Sequence, residues 1–351
     1  MRNYKCLPVS KFESNGFHIE SLRNEDMYEI MDIRNQQIYH LRQNEPLTKE
    51  KQEHYFATIV AGLFEQEKPN QLLFSFFENG NFIGYGGLVH INWIDKNAEI
   101  SFVMKTELEK DNFAKYWSNF LILIEKLAFE ELNFHKIFTY AFDLRPHLYT
   151  VLESCGFKEE ARLKEHCLFD GQFLDVVYHA KINRTISFRK ANKNDMMLYF
   201  NWTNDASVRE NSYQSEPISI EHHQNWFYKK IKEDTCFMVV FENHIGLPIG
   251  QVRIQKKDTS TAVIGISNDA NHRGKGYASK MIEIASDEFL KQNLKIFISA
   301  YIKIENKASA KAFEKAGYKL DVVLEYDGFP SYHYIKKYEI ATNNKFVANK
   351  H

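Results

Sequence analysis

The sequence predicts an α/β (α+β) chain made of two tandem domains, each a mixed, mostly antiparallel central sheet flanked by helices. Three observations predict it. The chain has 351 residues, 44% of them hydrophobic and 15% aromatic, more than one domain of roughly 100–200 residues requires and enough for two cores. Its two halves repeat the same short patterns in the same order. In the second half, an antiparallel meander of short strands gives way to strands that alternate with helices.

The repeat is read first because it fixes the domain organisation. Glu45, Pro46, Leu47, Thr48, Glu50, Tyr55 and Phe56 align without gaps to Glu216, Pro217, Ile218, Ser219, Glu221, Trp226 and Phe227. In each copy the Thr or Ser after the Pro-apolar pair has the chemistry of a helix N-cap. Asn24 to Met27 resembles Lys193 to Met196. Phe77 to Gly84 resembles Phe241 to Gly250 as a hairpin, and Ser154 to Phe157 resembles Lys315 to Tyr318. Four matches in order, spaced 161 to 171 residues apart, indicate a duplicated domain. The boundary is placed in the polar stretch near Lys181, giving domains 1–181 and 182–351. The tail beyond Ala341 is expected to fray.

In the second half, residues 186–189 read as a strand, and 195–202 and 219–232 as helices. Strands follow at 237–242, 249–255 and 261–267, then a helix at 276–292 and a strand at 295–302. A helix at 307–316 and strands at 318–326 and 332–339 complete the copy. The polar stretch Asn201 to Ser212 reads as a loop where the first helix breaks.

The stretch with the most chemistry is His272, Arg273, Gly274, Lys275, Gly276, Tyr277 and Ala278. It follows a strand and opens a helix. Two glycines allow successive amides to turn towards one anion. The helix adds its unpaired N–H groups and the positive end of its dipole. The pattern is neither GxGxxG nor GxxxxGK[ST], so neither a Rossmann nor a P-loop site is expected. The plainer alternative is a Gly-rich helix cap.

Two motifs weigh against that alternative. Arg273 to Ala278 resembles the acetyl-CoA loop, Q/R-x-x-G-x-G/A, of the GNAT superfamily of N-acyltransferases. Some thirty residues later, Asn306 to Tyr318 resembles the superfamily's second hallmark, N-x-x-[AS]-x-x-x-[YF]-x-x-x-G-[FY]. The resemblance covers residues 186–340. It implies an enzyme that moves an acetyl group from acetyl-CoA to the primary amine of a small polar acceptor. It also implies that the strand of Ile264 and Ile266 splays from the Tyr301 strand to receive the pantetheine arm. Cofactor contacts are then expected from Ile264, Ile266, residues 272–278, Asn306 and Phe313, with no metal.

Acyl transfer needs a base for the ammonium, donors for the oxyanion and a proton for the thiolate. In the resembling family a tyrosine in the second hallmark supplies that proton. Phe313 stands there in this chain, which leaves Ser309 as the hydroxyl candidate. Val263 occupies the place of the family's strand glutamate, whereas the first half keeps it as Glu99. Asn306 is a candidate for holding cofactor or an ordered water. The Asn201 to Ser212 stretch resembles the acceptor loop of enzymes acting on nucleotide-linked amino sugars, with Asn204, Arg209 and Asn211 as candidate acceptor ligands. Local backbone capping is the competing reading for these three. Protein N-termini and antibiotics are alternative acceptors, and a non-catalytic acyl-CoA sensor is an alternative function.

The first half departs from the pattern where phosphate would bind. After its strand at 99–104 there is no glycine, and Glu107, Glu109 and Asp111 would repel phosphate. It reads as the same fold without the coenzyme A loop.

With 45 basic and 46 acidic residues and a net charge of −1, there is no electrostatic case for nucleic acid or an anionic membrane as partner. Cys6, Cys155, Cys167 and Cys236 show no metal or disulfide spacing. The apolar run at 120–124 is too short to span a bilayer, and residues 1–17 lack a signal-peptide core. A cytoplasmic monomer or homodimer is expected.

Overall fold

The computed structural model describes residues 2–338, so the tail beyond Ala341 and the end of the 332–339 strand lie outside the described residues. The chain divides into two units, Met1–Asn183 and Arg184–His351. The four cysteines are free thiols. Among the described residues, no helix is long and apolar enough to cross a membrane.

In the first unit, strands β1 (Lys11–Ser14) and β2 (Phe17–Ser21) precede helix α1 (Met27–Gln36). Helix α2 (Lys49–Tyr55) runs through a π-helical turn into α3 (Ala61–Phe64). Strands β3 (Leu72–Glu78), β4 (Asn81–Asn92) and β5 (Asn97–Met104) form an antiparallel meander. Helix α4 (Thr106–Glu125), strand β6 (Lys136–Phe142), helix α5 (Pro146–Ser154) and strands β7 (Lys158–Phe169) and β8 (Gln172–Ile182) complete it. The sheet order is β1-β2-β3-β4-β5-β6-β8-β7. Its core is rich in stacked aromatics, such as Phe102 on Phe120 at 4.1 Å, and the 120–124 run, apart from exposed Ile122, lies on the buried face of α4.

The second unit repeats this plan. Strand β9 (Ile186–Lys190) is followed by helices α6 (Met196–Thr203), α7 (Ala206–Asn211) and α8 (Ile220–Lys230). Strands β10 (Cys236–Asn243), β11 (Pro248–Lys256) and β12 (Thr261–Asn268) form the meander. Helix α9 (Tyr277–Lys291), strand β13 (Phe297–Lys303), helix α10 (Lys307–Lys315) and strands β14 (Lys319–Tyr326) and β15 (Phe329–Lys337) follow. The order is β14-β15-β13-β12-β11-β10-β9. Both sheets are mixed, with one parallel contact each and antiparallel pairing elsewhere.

The duplication extends to side-chain bonds. Thr48 and Ser219 cap α2 and α8 by accepting from Lys51 and His222 amides. Arg23 grips Asp26 through two bonds, as Arg189 grips Asp195. One expectation is corrected: 201–212 is not a plain loop. Asp205 accepts from the Ser207 and Val208 amides and starts the short helix α7, a capped turn with too few apolar positions to show a helical period.

Candidate active site

Strand β12 pairs in parallel with β13 only from Thr261 to Val263, opposite Phe297 to Ser299. Beyond that point the two strands diverge, which leaves one edge of Ile264 to Asn268 without a neighbouring strand. At its end, a single turn at 270–272 leads into the glycine loop. Gly274 and Gly276 both adopt left-handed conformations, φ 72° and 79°, which cost a side-chain-bearing residue about 1–2 kcal/mol. A Cβ at either position would meet nothing within 4 Å. Backbone conformation, not crowding, therefore selects glycine here, and Gly274, Lys275 and Gly276 are exposed. Gly276 is also the N-cap of α9 and offers no side chain to its orphan amides. An open cluster of amides at a 15-residue helix N-terminus fits a diphosphate in charge and shape.

The loop's side chains divide by role. Gly274, Lys275 and Gly276 are exposed, while Tyr277 is buried beneath the loop. Ala278 is half-buried in the first turn of α9. Arg273 does not point freely outward: its Nη2 lies 2.6 Å from Asp205 Oδ1 and 3.2 Å from the Asn268 carbonyl. That bond holds the Asp205 carboxyl below the usual carboxylate range. His272 Nδ1 is 3.0 Å from Asp269 Oδ1, and Trp202 Nε1 donates to Asp269 Oδ2 at 3.2 Å.

Among the acceptor candidates, Asn204 is committed elsewhere. Its amide donates to the Ile218 carbonyl (2.9 Å) and accepts from the Ile218 amide (2.8 Å). Asn35 makes the same pair of bonds to Leu47 in the first unit. These two bonds match the backbone-capping reading of Asn204 and leave its amide one N–H and one lone pair. Asn211 donates to the Ser207 carbonyl one turn back. Arg209 Nη1 donates to the Glu216 carbonyl, and its buried Nε has no partner.

Cross-strand partners share a sheet face. Val263, Ser299 and Ile335 therefore lie together, with Tyr301 and His333 two residues along. On this face His333 Nε2 is 2.9 Å from Ser299 Oγ, and Nδ1 is 3.1 Å from Asp321 Oδ2. The ring stacks on Tyr301 at 4.7 Å, and Tyr301 stacks on Tyr326 at 3.9 Å. Arg253, on the same face, lies over the Trp226 ring of α8. Buried Gln251 contacts Ser267 Oγ at 3.2 Å. Sequence reasoning missed this polar face. Only the alternation of polar residues at 299, 301 and 333 hinted at it, and strand register is needed to bring them together.

The second hallmark is largely structural in its side chains. Asn306 Oδ1 caps α10 by accepting from the Ser309 amide at 3.0 Å. Ser309 is half-buried in the first turn. Phe313 is 3% exposed and packs edge-on to Tyr318 at 5.0 Å. Its ring belongs to the α9–α10 core. Ile264 also belongs to that core, and Ile266 packs against it half-buried. Their backbone edges face the side from which β13 has parted and remain for a ligand arm.

In the first unit β5 and β6 likewise pair only from Asn97 to Glu99 before diverging. Glu99 is 8% exposed, with Arg42 at 2.5 Å on one oxygen and His90 at 2.8 Å on the other. The N-terminus of α4 has no left-handed glycine. Glu107 and Glu109 lie in its first turn, and Glu109 meets Arg145 at 3.4 Å. The diverging strands open into a cavity of about 660 Å³ that includes Glu99, Ser101 and Tyr140.

Residues 19–178 and 185–319 each match a family model described as an acetyltransferase (GNAT) domain. The spermidine N(1)-acetyltransferase of Vibrio cholerae is 32% identical over 96 residues, 27% of this chain and 54% of that protein. The chain thus spans about half the length of this curated relative. A Vibrio cholerae spermidine N-acetyltransferase in complex with CoA and spermine has a TM-score of 0.42 at 22% identity, over 48% of this chain and 96% of that one. An aminoglycoside acetyltransferase in complex with coenzyme A and kanamycin has a TM-score of 0.39 at 16% identity, over 44% and 95%. Two GNAT domain matches in tandem cover most of the chain, which belongs to the GNAT acetyltransferases.

Proposed function

We propose that the second unit transfers an acetyl group from acetyl-CoA to the primary amine of a small polar acceptor. The observation that carries this reading is the pair of left-handed glycines, Gly274 and Gly276, at the start of α9. They follow a strand that has just parted from its parallel neighbour. Bound acetyl-CoA supplies an activated thioester carbonyl. The chain's part is to hold and orient it: amides at 274–278 take the diphosphate, and the β12 edge at Ile264 and Ile266 takes the pantetheine arm. An N–H near Ile266 donates to the thioester oxygen.

Proton removal from the amine is assigned to the Asp321–His333–Ser299 chain. Asp321 accepts from one imidazole nitrogen, which leaves the other to receive a proton through the Ser299 hydroxyl. This chain stands on the sheet face where Val263 has replaced the family's carboxylate. Ser309 is the hydroxyl nearest in sequence to the hallmark position for protonating the departing thiolate. Candidate acceptors are polyamines, aminoglycosides and nucleotide-linked amino sugars. The first two rest on the names of the similar proteins.

The test mixes the intact chain with acetyl-CoA and spermidine, kanamycin or a nucleotide amino sugar, and follows free thiol. One of these amines should release thiol with turnover. His333→Gln should lower kcat by about 10²–10⁴-fold with the KM for acetyl-CoA little changed. CoA binding without thiol release across all three amines would instead favour an acyl-CoA sensor.

A further inference from the structure

The 660 Å³ cavity of the first unit falls in the size range of sites for small organic molecules. Its lining carries four cationic side chains, Arg34, Arg42, Lys51 and Arg145, against one carboxylate, Glu99. Three of the cations are matched: Arg42 by Glu99, Lys51 by Glu45 and Arg145 by Glu109. Arg34 is not. It is half-buried on α1, where Nε donates to Gln43 Oε1 (3.0 Å) and Nη1 to the Tyr85 hydroxyl (2.7 Å). Among the described residues no carboxylate meets it.

The hydrogen-bond inventory around Arg34 is donor-rich. Having accepted from Arg34, the Tyr85 hydroxyl keeps its own proton for another acceptor. The Tyr55 hydroxyl accepts from Gln71 at 3.4 Å and is in the same position. Tyr85 outweighs burial and keeps Arg34 charged, so a partly desolvated cation faces the cavity with no carboxylate opposite it and gains from an incoming anion. The field is felt nearby: burial first, then Arg145, Arg34 and His147, bring His40 down to about 3. The rest of the wall includes Leu22, Ile30, Phe56 and Leu73.

We propose that the first unit binds a small organic anion, its carboxylate or phosphate on Arg34 and Tyr85 and its apolar body against Leu22, Phe56 and Leu73. The one unmatched charge, that of Arg34, disfavours a polyamine or aminoglycoside in this cavity. The proposal stands whether or not the second unit transfers acetyl groups.

The test compares two fluorescent probes on the full chain, with saturating CoA present to occupy the loop at 272–278. One is 8-anilinonaphthalene-1-sulfonate, and the other is N-phenyl-1-naphthylamine, which has the same rings without the anion. The sulfonate should bind about 10- to 100-fold more tightly, the range of hydrogen bonds to a charged group. Arg34→Met should abolish that preference and Arg34→Lys should keep part of it. Tyr85→Phe, which removes one donor and leaves the guanidinium, should weaken sulfonate binding several-fold and serves if Arg34→Met does not fold. Displacement by phenyl phosphate or by phenylacetate then identifies the head group. Equal affinity for the two probes, or a preference that survives in folded Arg34→Met, overturns the proposal.

Discussion

Arg273 Nη2 lies 2.6 Å from Asp205 Oδ1, a bond that joins the glycine loop before α9 to the cap of α7. The arginine of the loop is therefore neutralised by the carboxylate that caps α7. Asp205→Asn keeps a capping side chain but removes the charge, so Arg273 becomes available to phosphate. Half-exposed ion pairs are worth about 0.2–1 kcal/mol. CoA affinity, measured by calorimetry, should rise about 2- to 5-fold. A loss of affinity would mean that Asp205 positions Arg273 for the ligand and does not compete for it.

How much of this was legible in the sequence depends on the range of the interaction. The caps at Thr48 and Ser219 are three-residue events, and the repeat exposed both. Gly274 and Gly276 were readable because left-handed backbone selects glycine locally. The Ser299–His333–Asp321 chain was not, since its members meet only through the pairing of β13 with β15 and β14 with β15. A one-residue slip would put them on opposite faces. The Arg34 cavity also depends on where β5 and β6 stop pairing, and no local pattern marks that point. Asn204 and Phe313 are read from their motif positions; the backbone bonds of the one and the burial of the other depend on tertiary packing that no motif marks.

Asn204 spends its amide on Ile218 through two hydrogen bonds, as Asn35 does on Leu47. At about 1 kcal/mol per bond, Asn204→Ala should destabilise the chain by about 2 kcal/mol in urea unfolding and leave CoA affinity unchanged. Unaltered stability together with a raised KM for the amine would place Asn204 in the acceptor site.

Asp195 is buried, which by itself would raise its pKa. The Arg189 pair and the Asn192 amide outweigh burial and hold it below the usual carboxylate range. Its folded pKa is depressed, so its contribution is complete above the unfolded value near 4 and is lost as pH falls through the folded value. Arg189→Met should cost about 1–3 kcal/mol at pH 7, and the deficit should shrink at pH 3. A deficit independent of pH would place the loss in packing.

The central claim is that the amides of the glycine loop bind the diphosphate of a CoA ester. Calorimetric titration of the intact chain with CoA tests it most directly, beside a Gly274→Val, Gly276→Val double variant that remains folded by circular dichroism. Saturable heat with the natural chain and none with the variant is the predicted result. No binding by the natural chain, or equal binding by both, would contradict the account.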